Sequence, residues 1–475
     1  MTVAKKPSKM QPVMEPRSLQ FITHACQGTL LQGNPDTHAL GVSTDSRKVQ
    51  LGDLFVALRG DHFDGHEFLQ HAARNDAAAL LVSHLHDPTG LGECGVIQVD
   101  DTRSALGRLA AAYRNDFSEV CMVAVAGSNG KTTTKNLLAA ILEQKGPALF
   151  SPASYNNDIG VPLSLLRLRK EHEAAVLEAG TNHAGELAPL IRMMRPQHGI
   201  LTGIGPEHLE FFGTLEGVAE EEGWVAELLP VDGCLFVHGD SPWLETVLKR
   251  CQARVVRVGM DECNDWRAKE ITLNRAGTRF EVSCPVPGYN GPYHMRHIGR
   301  HLVSNALLAL AVGAELGVSS DAARAGLAVC PPSPMRMEYT DHHGVGIIND
   351  AYNANVPSMQ AALQTCRELP CRGRRIAVLG DMAELGEHGE SAHREIGRLA
   401  AMAGLQCLVT VGRWAEVTAT AAREAGLGEV RAFAEADPAA DHVLATLRAG
   451  DLVLFKASRA ARLERIVSRL KDRLG

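Results

Sequence analysis

The run Val123-Ala124-Val125-Ala126-Gly127-Ser128-Asn129-Gly130-Lys131-Thr132-Thr133-Thr134 holds the residue types that bind a polyphosphate. An apolar strand breaks into a small, glycine-containing turn, and a lysine and three threonines open the helix that follows. Such a turn leaves backbone N–H groups unpaired and convergent at the positive end of a helix dipole. Lys131 would reach the terminal phosphates, and the Thr132 hydroxyl would hold Mg²⁺. The general phosphate-loop pattern wants a glycine five residues before Gly130, where this chain has Val125. The strand-turn-helix context outweighs that misfit.

Open α/β sheets bind ligands at the carboxyl ends of their strands, so polar residues placed there are the next candidates. Glu178 follows the apolar run 174–178, and His208 follows the run 199–204. A carboxylate and an imidazole delivered beside the loop would complete a Mg²⁺ site. In the segment Leu215 to Leu229, Glu222 shares a helical stripe with Leu215, Val218, Val225 and Leu229, whereas Glu220 and Glu221 fall mostly off it. An inward carboxylate is costly unless paired or metal-bound, although Gly223 can break this helix. His301 and Asn305, four apart, share a face at a helix start, fit either to touch a nucleotide base or to cap the apolar run behind them. Arg336 stands just past the proline-rich hinge Cys330 to Pro334. Asp350, Tyr352, Asn353 and Asn355 follow a strand and offer a carboxylate, an aromatic face and two amides. Lys456, Ser458 and Arg459 follow the last strand, where they can grip an anionic group.

The elements that position these residues fall into three blocks. The first has strands near 54–58, 79–82 and 96–99 with helices at 67–75 and 102–113. The second begins with the phosphate-loop strand and adds apolar runs at 174–178, 199–204 and 233–237. The third has strands at 345–348, 375–379, 407–411 and 452–455, with helices near 357–368, 391–404, 414–425 and 437–448. Buried strands alternating with helices predict an α/β protein with mainly parallel sheets. The expected domains are 1–117, 118–332 and 333–475. No G-x-G-x-x-G follows the strands of the third block, so a dinucleotide site is not expected there.

At 475 residues the chain is too long for one core. A net charge of −7 offers no basic field for nucleic acid. Residues 1–16 contain three lysines but no apolar run behind them, so no signal peptide is expected. No stretch is long and apolar enough to predict membrane insertion. Eleven cysteines without a C-x-x-C pair suit a reducing, cytoplasmic setting. Nothing in the pattern demands a partner chain, so a monomer is expected.

With these residues assembled, the chain resembles the Mur ligases from about residue 41 to 464. Gly127 to Thr133 is similar to the family's G-[ST]-N-G-K-T-T loop, which accounts for the misfit at Val125. Ser43-Thr44-Asp45-Ser46-Arg47 and Asp64-Gly65-His66 resemble UDP-sugar-binding segments, and Asn156-Asn157 opens a segment similar to N-N-x-x-G-x-P. Asp350 to Met359, with Gly380 to Gly386 and Lys456 to Glu464, resembles the member that adds the dipeptide D-Ala-D-Ala.

The resemblance implies three domains: a central phosphate-loop ATPase domain, a smaller N-terminal UDP-sugar domain and a C-terminal Rossmann-like domain. It implies an ATP- and Mg²⁺-dependent ligase that joins D-Ala-D-Ala to UDP-MurNAc-tripeptide through an acyl phosphate. Another ligase of this architecture, or a non-catalytic nucleotide-binding relative, are the alternatives. By the resemblance, Lys131, Glu178, His208 and Glu222 are catalytic, and Thr132, Glu178 and His208 bind metal. ATP is met by Gly127 to Thr133, His301, Asn305, Arg336 and Asp350. The UDP-substrate is met by Ser43, Asp45, Ser46, Arg47, Asn156 and Asn157, and the dipeptide by Tyr352, Asn353, Asn355, Asp381, Ser458 and Arg459. Glu222 stands where the family usually has a carbamylated lysine, Gly203 and His238 where it usually has asparagines, Val356 where it has proline, and Ala457 where it has glycine. Glu222 is expected to substitute for the carbamate.

Overall fold

Alternating apolar runs and amphipathic stretches become α/β layers with mainly parallel sheets in the computed structural model, which describes residues 14–60, 63–85 and 89–474. The reading of the chain start as lacking a signal peptide rests largely on residues 1–13, outside the described residues. The chain divides into two units. One takes the described residues up to Val123 with Pro147–Ala179 and Pro189–Pro196, and the other takes Ala124–Gly146, Gly180–Ala188 and Gln197 onward.

In the first unit a five-stranded sheet runs in the order Thr29–Gln32, Gly95–Gln98, Ala79–Val82, Asp53–Val56, Gly41–Ser43. Its four later strands are parallel, and Thr29–Gln32 joins one edge antiparallel. All four residues of Ala79–Val82 are buried, as a strand covered on both faces requires. Phe55, Leu80, Val82 and Val96 pack with Leu69 and Ala72 of the helix Leu69–Arg74; each large apolar side chain so buried contributes roughly 1.5–3 kcal/mol. The helix Thr102–Asn115 starts where the Asp101 carboxylate accepts the Ser104 N–H at 2.7 Å. In the same unit Ala148–Phe150 pairs parallel with Ala174–Glu178, which puts Glu178 at a carboxyl strand end.

In the second unit the Thr202 N–H donates to Ala126 O at 3.0 Å, tying the end of strand Cys121–Ala126 beside His198–Leu201. Cys234–His238 and Arg254–Gly259 continue that sheet in parallel. Trp266–Asn274 then joins parallel to Arg254–Gly259, and Gly277–Ser283 and Gly291–Met295 add an antiparallel meander. Sequence reading does not find this meander. Its strands alternate buried Trp266 and Ala268 with exposed Lys269 and Glu270, so they show no continuous apolar run.

A second sheet in this unit runs Glu338–His342, Val345–Asp350, Leu452–Lys456, Arg375–Gly380, Cys407–Val411, Val430–Phe433. All its pairings are parallel except the first. Ile347, Val378, Val409, Val453 and Phe455 fill its core. The helices Val356–Glu368, Gly389–Met402, Ala415–Glu424 and Ala436–Thr446 lie close to their predicted positions. Among the described residues no helix is long and apolar enough to cross a membrane, and all eleven cysteines are free.

Candidate phosphate-loop site

The loop between strand Cys121–Ala126 and helix Lys131–Leu142 takes the shape that its glycines permit. Gly127 has φ +114° and Gly130, the helix N-cap, has φ +89°. A Cβ at Gly127 would lie 2.5 Å from Thr202 Oγ1, and one at Gly130 would lie 2.6 Å from Asn305 Oδ1. Only glycine fits either place. The Ser128 N–H donates to Gly203 O at 2.9 Å, and the Ser128 hydroxyl exchanges hydrogen bonds with the Gly205 backbone at 2.9 and 3.1 Å. Thr132, Thr133 and Thr134 are buried at the helix start.

Lys131 folds back so that its ammonium donates to Gly127 O, with the Glu207 carboxylate 3.8 Å away. Glu222 is completely buried, and its Oε2 accepts the Gly127 N–H at 2.6 Å. Burial pushes the Glu222 carboxyl up to about 8 against the pull of Lys131, and the neighbouring Glu207 and Glu221 push the same way. The inward stripe is therefore real. Gly223 stays in helical conformation between Leu215–Glu222 and Trp224–Glu227 and does not turn the chain away. Glu221, expected mostly off the stripe, is also buried. Its carboxylate accepts the N–H groups of Gly185 and Leu187 at 2.9 and 2.7 Å, capping the helix that begins at Leu187.

The loop meets the third sequence block within the same unit. Asn355 Nδ2 donates to Asn129 Oδ1 at 3.1 Å. Asn355 also caps the helix Val356–Glu368, its Oδ1 accepting the Ser358 N–H at 3.0 Å while the Ser358 hydroxyl accepts the Asn355 N–H. Asn305 lies against Gly130, and His301 stands exposed one turn before it, at the N-cap of Leu302–Glu315. His238 Nε2 faces the Ser304 hydroxyl at 3.2 Å, and its Nδ1 is 3.6 Å from where a Cβ of Gly203 would be. Burial pushes the His238 imidazolium pKa down.

Several candidates hold each other instead of an open space. Asp350 Oδ2 pairs with the buried Lys456 Nζ at 2.6 Å, and Lys456 also donates to Asn353 O at 3.0 Å. The Arg336 guanidinium lies 3.9 Å above the Tyr352 ring. Asp381 accepts the N–H groups of Arg413 and Trp414 at 2.8 and 3.0 Å. Ser458 accepts the Ala383 N–H at 2.9 Å, and Arg459 pairs with Glu464 at 3.5 Å. His208 Nδ1 pairs with Glu384, whose carboxyl that bond holds below the usual range. Glu207 and Glu384 are partners that sequence reading missed; both sit within a residue or three of named candidates, and no periodicity marks them.

The first unit holds the remaining candidates. Glu178 is buried, accepts Asn156 Nδ2 at 2.9 Å and donates its N–H to Ser151 Oγ at 3.2 Å. Asn157 Oδ1 accepts the Gly160 N–H at 2.9 Å. Arg47 grips Asp45 through two bonds of 2.9 Å, holding that carboxyl down to about 2, and Ser43 bonds the Asp45 backbone. The Ser46 carbonyl accepts Asn75 Nδ2 at 3.1 Å.

A mainly parallel α/β chain with a glycine-hinged loop, a helix N-terminus and an invading lysine defines a nucleotide-phosphate-binding protein. Its matches narrow that class. The Mur ligase middle domain matches residues 125–313, the Mur ligase glutamate ligase domain residues 335–459, and the Mur ligase family catalytic domain residues 38–114. The UDP-N-acetylmuramoyl-tripeptide–D-alanyl-D-alanine ligase of Bacillus subtilis (strain 168) is 35% identical over 460 residues, covering 96% of this chain and 98% of that one. MurF from Acinetobacter baumannii superposes with a TM-score of 0.88 at 30% identity, covering 97% and 99% of the two chains. MurF ligase from Thermotoga maritima, solved in complex with ADP, gives 0.79 at 28% identity over 91% and 97%. The chain belongs to the Mur ligase family.

Proposed function

We propose that this chain is the ATP-dependent ligase that joins D-Ala-D-Ala to the terminal carboxylate of UDP-MurNAc-tripeptide, the last addition before the peptidoglycan precursor leaves the cytoplasm. The observation that carries the reading is the loop: Gly127 and Gly130 in left-handed conformation, with Lys131 folded over the cradle. The relatives named for this reaction span nearly the whole chain.

A carboxylate is a poor electrophile until one oxygen becomes part of a leaving group. ATP supplies that change by phosphorylating the tripeptide carboxylate; the dipeptide amine then attacks the acyl carbon, and phosphate departs. Gly127 and Ser128 donate their N–H groups within the protein, so the helix N-terminus that follows would hold the phosphates, and Lys131 would swing from Gly127 O to neutralise them. Asn305 and His301 are the proposed contacts of the nucleoside, and Asn355 braces Asn129. Thr132 and His208 are proposed Mg²⁺ ligands, Glu178 is one by the resemblance alone, and Mg²⁺ would supply positive charge beside the transferred phosphoryl group. The unpaired Oε1 of buried Glu222 fits a cation there. To hold such an ion His208 would have to release Glu384.

A cleft of about 660 Å³ bounded by Asp381, Glu384, Glu387, Arg413, Trp414 and Ser458 is the proposed seat of the dipeptide. Its carboxylates attract an ammonium group, and Arg413 offers a counterpart for a carboxylate. The N-terminal domain (1–117) would bind the UDP-sugar through Ser43 to Arg47, the central domain (118–332) ATP, and the C-terminal domain (333–475) the dipeptide. We further propose a cytoplasmic monomer acting on small molecules, without nucleic-acid or membrane partners; the free cysteines support a reducing compartment.

The test supplies ATP, Mg²⁺, D-Ala-D-Ala and UDP-MurNAc-tripeptide ending in diaminopimelate or lysine. Phosphate release and product mass are measured together. Stoichiometric phosphate and pentapeptide product are expected. Phosphate without product, or preference for a single amino acid as acceptor, overturns the reading.

A further inference from the structure

Both hinge glycines of the phosphate loop have a solid backing. Gly127 lies against Thr202 and Gly203, whose carbonyl also accepts the Ser128 N–H at 2.9 Å, and Gly130 lies against the Asn305 amide. The two backings belong to different elements. One follows the carboxyl end of strand His198–Leu201, and the other stands on the helix Leu302–Glu315. The His238 side chain reaches both. At the end of the neighbouring strand Cys234–His238, its Nε2 lies 3.2 Å from the hydroxyl of Ser304, the residue before Asn305. Its Nδ1 lies 3.6 Å from the place of a Gly203 Cβ, and among the described residues no other atom outside the adjoining ones comes within 4 Å there.

Where the resemblance expects two asparagines, a glycine leaves room and a histidine on the next strand fills it. Gly203 has φ +140°, a conformation closed to residues with a side chain, so the space is not filled from Gly203 itself. Asp240, 3.7 Å from Nε2, is beyond hydrogen-bond reach and instead accepts the Met260 N–H and the Asn264 amide at 2.7 and 2.6 Å. The Ser304 hydroxyl is therefore the partner of the ring. We propose that His238 is a positioning residue for the nucleotide, holding the two backings of the loop at a fixed separation through Ser304 and Gly203. The assignment rests on the nucleotide reading of the loop.

The test is a double-variant cycle in the full-length protein, with a non-hydrolysable ATP analogue as the calorimetric probe. His238→Ala and Ser304→Ala each remove one hydrogen bond and are each expected to weaken analogue binding about fivefold. Their double variant is expected to lose about fivefold as well, not about twenty-five-fold, because both act through one contact. His238→Gln, whose amide reaches the place of Nε2, should recover most of the affinity. In turnover the KM for ATP should rise in His238→Ala while the KM for the dipeptide stays at the parental value. Parental affinity in both single variants, fully additive losses, or equal rises in both KM values would overturn the proposal. Should His238→Ala fail to fold, parental affinity in Ser304→Ala overturns it alone. A parent that binds no analogue overturns the nucleotide reading, and the His238 assignment with it.

Discussion

Gly130 shows how one missing side chain decides a site. Its φ of +89° is unfavourable for any other residue, and the space that a methyl group needs is taken by the Asn305 amide 2.6 Å away. Gly130→Ala is expected to cost about 1–2 kcal/mol in backbone strain alone, lowering the melting temperature and weakening binding of an ATP analogue in the same preparation. His297 gives a pH prediction. It is buried, neither ring nitrogen has a partner among the described residues, and desolvation pushes its pKa down to about 4. The unfolded chain takes up this proton near pH 6.5 and the folded chain does not, so stability is full above 6.5 and falls as the pH drops toward 4. Between pH 7 and 5 the loss is about 2 kcal/mol. His297→Phe is expected to flatten the acid side of a plot of urea midpoint against pH by that amount; an unchanged plot would contradict the assignment. The loop residues themselves were legible because their chemistry is local: strand, turn and helix N-terminus lie within twelve consecutive residues. The Lys131–Glu207 pair was not, because nothing near either residue states their distance in space.

Helices and strands bring the other half of the site. Asn355 caps its helix and also braces Asn129, 226 residues earlier in the chain. These roles separate by substitution. Asn355→Ala removes both and is expected to cost about 1 kcal/mol, whereas Asn355→Asp keeps the cap acceptor and loses the donor to Asn129. The aspartate variant should therefore melt near the parent while its KM for ATP rises. Asp350 and Lys456 are register partners on neighbouring parallel strands, so their ion pair is built by the sheet itself. Lys456→Met leaves Asp350 with an unpaired charge and is expected to destabilise by about 3–5 kcal/mol, with much of that recovered in the Asp350→Asn, Lys456→Met double variant. A double variant as unstable as the single would show that the pair is not what Lys456 supplies. The parallel strands could be predicted because both faces are buried and their sequences are nearly all apolar, as in Ala79–Val82 and Cys407–Val411. The meander from Trp266 to Met295 escaped because its alternation resembles ordinary polar surface. Glu221 escaped for a related reason: a capping carboxylate answers to a helix elsewhere in the fold, not to the stripe of its own.

Across the whole molecule, three blocks in sequence become two units in space. Residues 147–179 and 189–196 join the N-terminal part, while 124–146 and 180–188 join the C-terminal part. Sequence reading follows the chain in order and cannot show such interleaving, since strand Cys121–Ala126 carries no mark where the division falls. Fold class was legible all the same, because it depends on the kind and order of the elements. The identity of Glu222 has a consequence at this scale. A lysine becomes an acidic ligand only after capturing carbon dioxide, and it surrenders that group again when the dissolved gas is removed. In its proposed role Glu222 needs no such capture, so every copy of the protein would be equipped alike, whatever the respiration of the cell around it. Turnover in rigorously degassed, bicarbonate-free buffer is expected to match turnover in air-equilibrated buffer, and added bicarbonate should restore nothing because nothing was lost.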